Sequence, residues 1–161
     1  MKFTSLQEYF YKLQNALYLL VLLPLLVFIF LIASPPDKIV TLGADDTTVI
    51  MSVLIGFALV DAVIVSIIFY QSMKKIRKAV LLSEKLDRYY TMAVIRYAVI
   101  TLSCLMMALG YYLTDHLIFI SLFAFTLILL LILWPRPSAV CKQLKLKGDE
   151  REMVLFKKDS F

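Results

Sequence analysis

Four long apolar runs separated by short polar stretches dominate the chain: Ala16 to Ala33, Thr48 to Tyr70, Met92 to Leu113 and Leu117 to Trp134. A helix rises ~1.5 Å per residue and a hydrocarbon core is ~30 Å thick, so about 20 residues make one crossing. The pattern therefore predicts four transmembrane helices. The polar positions at their ends predict the caps. Ser5 with Glu8 forms a capping box at the amphipathic start FTSLQEYFYKLQ, and Pro35-Pro36 stops the first helix. Asp46 and Thr47 are placed to cap the second and Asp115 the fourth, which ends before Pro135 and Pro137. Tyr89-Tyr90, Tyr111-Tyr112 and Trp134 fall where aromatic belts meet lipid head groups.

The stretch KKIRKAVLLSEKLDRYY is too charged for lipid. It is expected to continue the second helix, turn near Leu82-Ser83 and restart with Ser83 as cap, giving helical stalks outside the membrane. The tail PRPSAVCKQLKLKGDEREMVLFKKDSF reads as a short helix from Ser138, a stop at Gly148 and a second helical turn opened by Asp149 with Glu152. Val140, Cys141 and Leu144 share one face and Met153 to Phe156 are apolar beyond them, so the tail is amphipathic. It could lie on the membrane, dock on a partner or pack on the protein's own stalks.

Charge sets the orientation. All but Lys38 of the 17 Lys and Arg residues fall on one side of the four runs. The positive-inside rule then puts both termini and the connection from Gln71 to Thr91 in the cytoplasm, with the loop PPDKIVTLGADD and the turn at Thr114-Asp115 outside. The predicted fold is an all-α integral membrane protein, with four transmembrane helices in an antiparallel bundle, cytoplasmic termini and short cytoplasmic helical extensions. Residues 1–134 form the bundle and 135–161 the tail. The first run is longer than a signal-peptide core, and bulky Ile32 with Ser34-Pro35 offers no small-x-small cleavage site, so it is expected to stay as a helix.

Composition agrees. The 161 residues are 61% hydrophobic and 18% charged with a mean hydropathy of +0.85, whereas soluble domains are about half apolar and about a quarter charged. The net charge of +5 is concentrated beside the apolar runs, which points to topology and anionic lipid and away from nucleic acid. Cys104 falls inside a run and Cys141 in the tail, too far apart for a disulfide.

Candidate chemistry centres on Asp61. It lies nine positions before Tyr70, roughly 13 Å deep, where a carboxylate costs about 2.5 to 3.5 kcal/mol on insertion scales. Such an acid is either a proton or cation site in a transport path or a hydrogen-bonded carboxyl that fixes packing. Arg96 is the obvious counter-ion, but side chains lean toward a helix N-terminus, which sends the two apart. Thr101, at the depth of Asp61, is the better hydrogen-bond candidate, with Tyr97 and Ser103 nearby. On the same helix Ser52, Gly56 and Ser66 form a small-residue stripe roughly 140–180° from Asp61, so one face can pack in the bundle and the other meet a second subunit. Lys74, Lys75, Arg77 and Lys78 of KKIRK are candidate contacts for anionic head groups, or a topology signal alone.

Other chemistry lacks its residues. His116, the single histidine, lies in the outer turn, which leaves haem without axial ligands, and no HExxH, CxxC, GxSxG or Walker-type loop occurs. Asp37, Asp45, Asp46, Asp115 and His116 could converge outside as a weak cation site, though loop charges and caps explain them more simply. No catalytic residue, metal or cofactor is expected. In size and span count the chain resembles small multidrug transporters, which carry their working acid in the first span; Ala16 to Ala33 contains no acid, and the two helical hairpins are not a detectable repeat. The expectation is a non-enzymatic accessory or scaffold subunit that binds another membrane protein or self-associates. A small proton- or cation-coupled transporter working through Asp61 is the alternative. Its partners would be membrane lipids, anionic ones included, and its setting a multi-pass protein of a bacterial inner membrane.

Overall fold

The computed structural model describes residues 5–33 and 43–157. Among them every regular element is a helix: α1 Leu6–Ala33, α2 Ala44–Ile76, α3 Leu82–Thr114, α4 Leu117–Ile132, α5 Pro137–Leu144 and α6 Gly148–Phe156. Three helices, α1, α2 and α3, are long and apolar enough to cross a membrane. The fourth run ends where expected, ahead of Pro135 and Pro137. Its helix α4 has only 16 residues and is followed by an 80° bend into α5, so it counts as a span only together with that bent continuation. The break is where Pro135 and Pro137 leave no amide hydrogen to extend the ladder. The structure thus has three to four helices long and apolar enough to cross a membrane, consistent with an integral membrane protein.

The caps depart from the sequence expectation at several ends. Ser5 does cap α1, its Oγ accepting from the Glu8 amide at 3.1 Å. The stop at Pro35-Pro36 lies outside the described residues. Gly43, not Asp46 or Thr47, is the N-cap of α2, and the Thr47 hydroxyl donates back to the Gly43 carbonyl at 2.9 Å. Asp115 does not open α4; it closes α3 in the left-handed region at φ 54°, leaving His116 as the N-cap of α4. Leu81 takes the place expected of Ser83 before α3. The tail helix starts at Pro137, one residue before Ser138, because a proline's missing donor costs nothing at a first helical position. It stops at Lys145, φ 56°, before Gly148 is reached: the Leu146 amide bonds the Cys141 carbonyl at 3.0 Å and the Lys145 amide that of Lys142 at 3.3 Å. That pair of bonds satisfies the last carbonyls without a glycine. The next helix then begins at Gly148 itself, at φ +52°.

Helix α3 is the hub, packing on α1, α2 and α4. Tyr97, Thr101, Cys104 and Ala108 form a buried stripe with helical spacing along it. Phe28 of α1 stacks on Phe123 of α4 with centroids 4.0 Å apart, and Tyr18 and Tyr97 both meet Trp134. At the turn between α3 and α4 a Cβ on Gly110 would meet the Phe119 ring at 2.5 Å, so only glycine lets these helices approach so closely.

The tail packs on the protein itself. Val140, Cys141, Leu144, Leu146 and Val154 join the core formed by Leu6, Tyr9, Phe10 and Leu13 of α1 with Met73, Ile76, Leu86 and Tyr89. Polar bonds fix the join. Arg77 Nε donates to the Gln143 carbonyl at 2.8 Å, Tyr89 Oη to Gln143 Oε1 at 2.9 Å, and Lys85 Nζ reaches both carboxylate oxygens of Glu150 at 2.9 Å. Val140, Cys141, Leu144 and Val154 of the tail's apolar face are therefore buried inside the chain, while Phe156 stays exposed.

Candidate functional site: the two faces of helix α2

Asp61 sits half-buried on α2 and accepts a hydrogen bond from the Ser103 hydroxyl of α3. The expected bond to Thr101 does not form. Thr101 lies two residues, about 200°, around α3 from Ser103 and donates instead to the Leu20 carbonyl of α1 at 2.9 Å. Tyr97, on the same side as Thr101, donates to the Leu130 carbonyl of α4 at 2.9 Å. The four intramembrane candidates are thus not one constellation: Thr101 and Tyr97 tie α3 to α1 and α4, while Asp61 ties α2 to α3. A signal for Ser103 was present in the sequence. Met92, Arg96, Val99 and Ser103 recur at helical spacing, and the first three line a small cleft of about 50 Å³ with Val65, Ile68 and Phe69 of α2.

Arg96 does not meet Asp61. Its guanidinium lies over the Phe69 ring, 4.3 Å from the centroid, a cation held against an aromatic face. Phe69 is eight residues beyond Asp61, about 12 Å of helical rise. Asp61 is not among the residues that line the small cleft between Phe69 and Arg96.

The stripe Ser52, Gly56 and Ser66 faces away from the bundle. A Cβ added at Gly56 would meet nothing within 4 Å. Ser52 and Ser66 are exposed, and their hydroxyls donate to carbonyls of their own helix, Thr48 at 2.9 Å and Ala62 at 2.7 Å. Each hydroxyl is satisfied without a neighbour, so this face can stand in lipid or receive another helix. Of the KKIRK cations, Arg77 is committed to Gln143 and Lys74 lies 4.6 Å from the Tyr70 ring centroid. Among the described residues no three His, Cys, Asp or Glu side chains gather as a metal site, and Asp37 lies outside them.

The fold is all-helical among the described residues, with three to four helices long and apolar enough to cross a membrane, one of which, α2, is held to α3 along a single side. No family model matches the chain, and neither the curated proteins nor the solved structures contain a match to it.

Proposed function

We propose that the protein is a non-enzymatic accessory or scaffold subunit that binds another membrane protein, or a second copy of itself, through the outward face of α2. In this reading it spans the membrane four times as an antiparallel bundle, with both termini in the cytoplasm of a bacterial inner membrane. Placing all but one of its 17 cations on that side supports the orientation. The observation that carries the functional reading is the pairing of the two faces of α2. Asp61 and Ser103 fix one side of the helix against α3, which turns Ser52, Gly56 and Ser66 outward as a small, self-satisfied surface. Close helix approach in lipid depends on such small residues, because the hydrophobic effect does not drive apolar surfaces together there.

The test is extraction of the tagged full-length protein in mild detergent, with identification by mass spectrometry of whatever co-purifies in stoichiometric amount. A membrane protein or a second copy, retained by wild type and lost in Gly56→Leu with its thermal unfolding unchanged, is the expected result. A monomer in both cases removes the reading. Loss of a proton or cation flux in Asp61→Asn vesicles, with folding intact, would replace it with transport.

A further inference from the structure

The largest cluster of cations outside the α2–α3 stalk belongs to the tail. A cleft of about 490 Å³ between α5 and α6 is lined by Ser138, Lys142, Lys145, Lys147 and Arg151, with Cys141 on the same wall. These groups come from three segments: Ser138 and Lys142 from α5, Lys145 and Lys147 from the connection, and Arg151 from α6. Two left-handed residues, Lys145 at φ 56° and Gly148 at φ +52°, fold that connection back so that all four cations border one space. Among the described residues no carboxylate lines it. Of the α6 acids, Glu150 is paired with Lys85 of α3 at 2.9 Å. Both helices are anchored at this point: Cys141 Sγ lies 3.8 Å from the Arg151 carbonyl, and Val140, Leu144 and Val154 are buried in the core. Four cations and a hydroxyl, converging with no acid among them, match the many acceptor oxygens and the negative charge of a phosphate group.

Position selects the source of that phosphate. Helix α5 leaves the apolar α4 after a four-residue link and an 80° bend, so if α4 runs along the membrane normal α5 lies along its surface, at head-group level. Partly exposed Leu155, beside the buried Leu146, completes the wall, an apolar side that a lipid acyl chain can use and an inorganic ion cannot. We infer that the α5–α6 cleft is a binding site for the phosphate head group of an anionic phospholipid. This site is independent of the contact face on α2, and either can fail alone. It also differs from the head-group role expected of KKIRK, where Arg77 is committed to the protein's own backbone.

The full-length protein, delipidated in mild detergent, is titrated with phosphatidylglycerol or phosphatidylcholine, and bound lipid is counted by native mass spectrometry. Phosphatidylglycerol is expected to bind at one saturable site and phosphatidylcholine not to. K142Q/K145Q/K147Q, which alters only exposed side chains, is expected to weaken binding roughly a hundredfold, a roughly fivefold loss per cation. K74Q/K75Q/K78Q removes the same charge from the other basic segment and should leave that site intact. Equal losses in the two triple variants would mean a diffuse surface potential and overturn the site, as would unchanged binding in both. Displacement of phosphatidylglycerol by sodium phosphate, beyond that by chloride of equal ionic strength, would assign the cleft to free phosphate and overturn the lipid assignment.

Discussion

Helices α2 and α3 each have 33 residues and both are long and apolar enough to cross a membrane, yet they do opposite things. In its most apolar stretch α3 has 39% of residues buried by protein and α2 has none. The buried helix is the less apolar of the two. In water that order would be perverse; in lipid it is expected, because a leucine gains nothing by leaving hydrocarbon for protein, and contact is decided by close packing and hydrogen bonds. Helix α3 therefore carries Ala93, Thr101, Ser103, Cys104, Ala108 and Gly110 toward its neighbours, while α2 exposes Val49, Val53, Leu59, Val60, Val63 and Ile67.

The sharpest contrast lies in two glycines. Gly110 of α3 is closed by the Phe119 ring and Gly56 of α2 faces open space. Gly110→Ala should destabilise by about 1–3 kcal/mol through overpacking, read as thermal unfolding in detergent. In a Phe119→Ala background the same change should become nearly neutral, since the clashing ring is gone. Gly56→Ala should leave the monomer unchanged or stabilise it by about 0.5–1 kcal/mol, the ordinary gain of alanine over glycine in a helix. Equal losses at both positions would erase the distinction between the helices.

A smaller effect separates the hydrogen bonds that radiate from α3. Ser103→Ala and Thr101→Val should each cost roughly 0.6 kcal/mol and at most about 1.7 kcal/mol, the average and the largest value measured for interhelical hydrogen bonds in a membrane protein. Their partners differ, so their couplings must differ. With Asp61→Leu already in place the cost of Ser103→Ala should vanish, whereas that of Thr101→Val should persist, because its acceptor is the Leu20 carbonyl. A double-mutant cycle showing Thr101 coupled to Asp61 would overturn this assignment.

How far the sequence could be read follows from the same physics. The apolar runs located α1, α2 and α3 because length and composition alone decide whether a helix can cross lipid. The fourth run was located as well, its helix ending at Ile132 with the Leu133 amide still bonded to the Leu129 carbonyl, two residues short of the run's end at Trp134. Asp61 was identifiable as the costly group, but its partner required knowing which way α3 is turned: Thr101 and Ser103 differ by only ~3 Å in depth and by about 200° in direction. Depth is legible from residue number; direction comes from neighbours. Ser5 caps α1 as expected, but Asp46, Thr47 and Ser83, all good capping types, do not cap, because the chain placed glycine or leucine at those boundaries instead. In the tail the amphipathic face was legible and its occupant was not, because several surfaces could have covered Val140 and Leu144, and the chain's own α1 to α3 ends did.

At the basic end of the molecule the ion pair of Lys85 with Glu150 holds α6, and Glu150 is partly exposed there, with about a third of its side-chain surface open to solvent. Glu150→Gln should therefore cost no more than about 1 kcal/mol, and high salt should mask the difference. The expected readout is faster tryptic cleavage in the connection Lys145 to Lys147 at low ionic strength. A rate unchanged at low salt would show that apolar packing alone retains the tail, making the tail and α3 alike in what holds them.

The smallest effect is a reactivity. Burial pushes the Cys141 thiol above its ordinary range, and the nearby positive charge of Arg151 offsets only part of this. A raised value means less thiolate at a given pH, and the thiolate is the species that attacks a maleimide. In a Cys104→Ala background Cys141 should therefore label more slowly than a free thiol at neutral pH. Its rate should continue to climb above pH ~8.5, where a free thiol has begun to level off. Glu150→Gln should raise the labelling rate by loosening α6, without shifting the pH at which it levels off if each opening exposes Cys141 only transiently. Labelling as fast as a free thiol in the intact protein would mean that the tail opens readily, and that Val140, Cys141 and Leu144 are available to something other than the chain's own core.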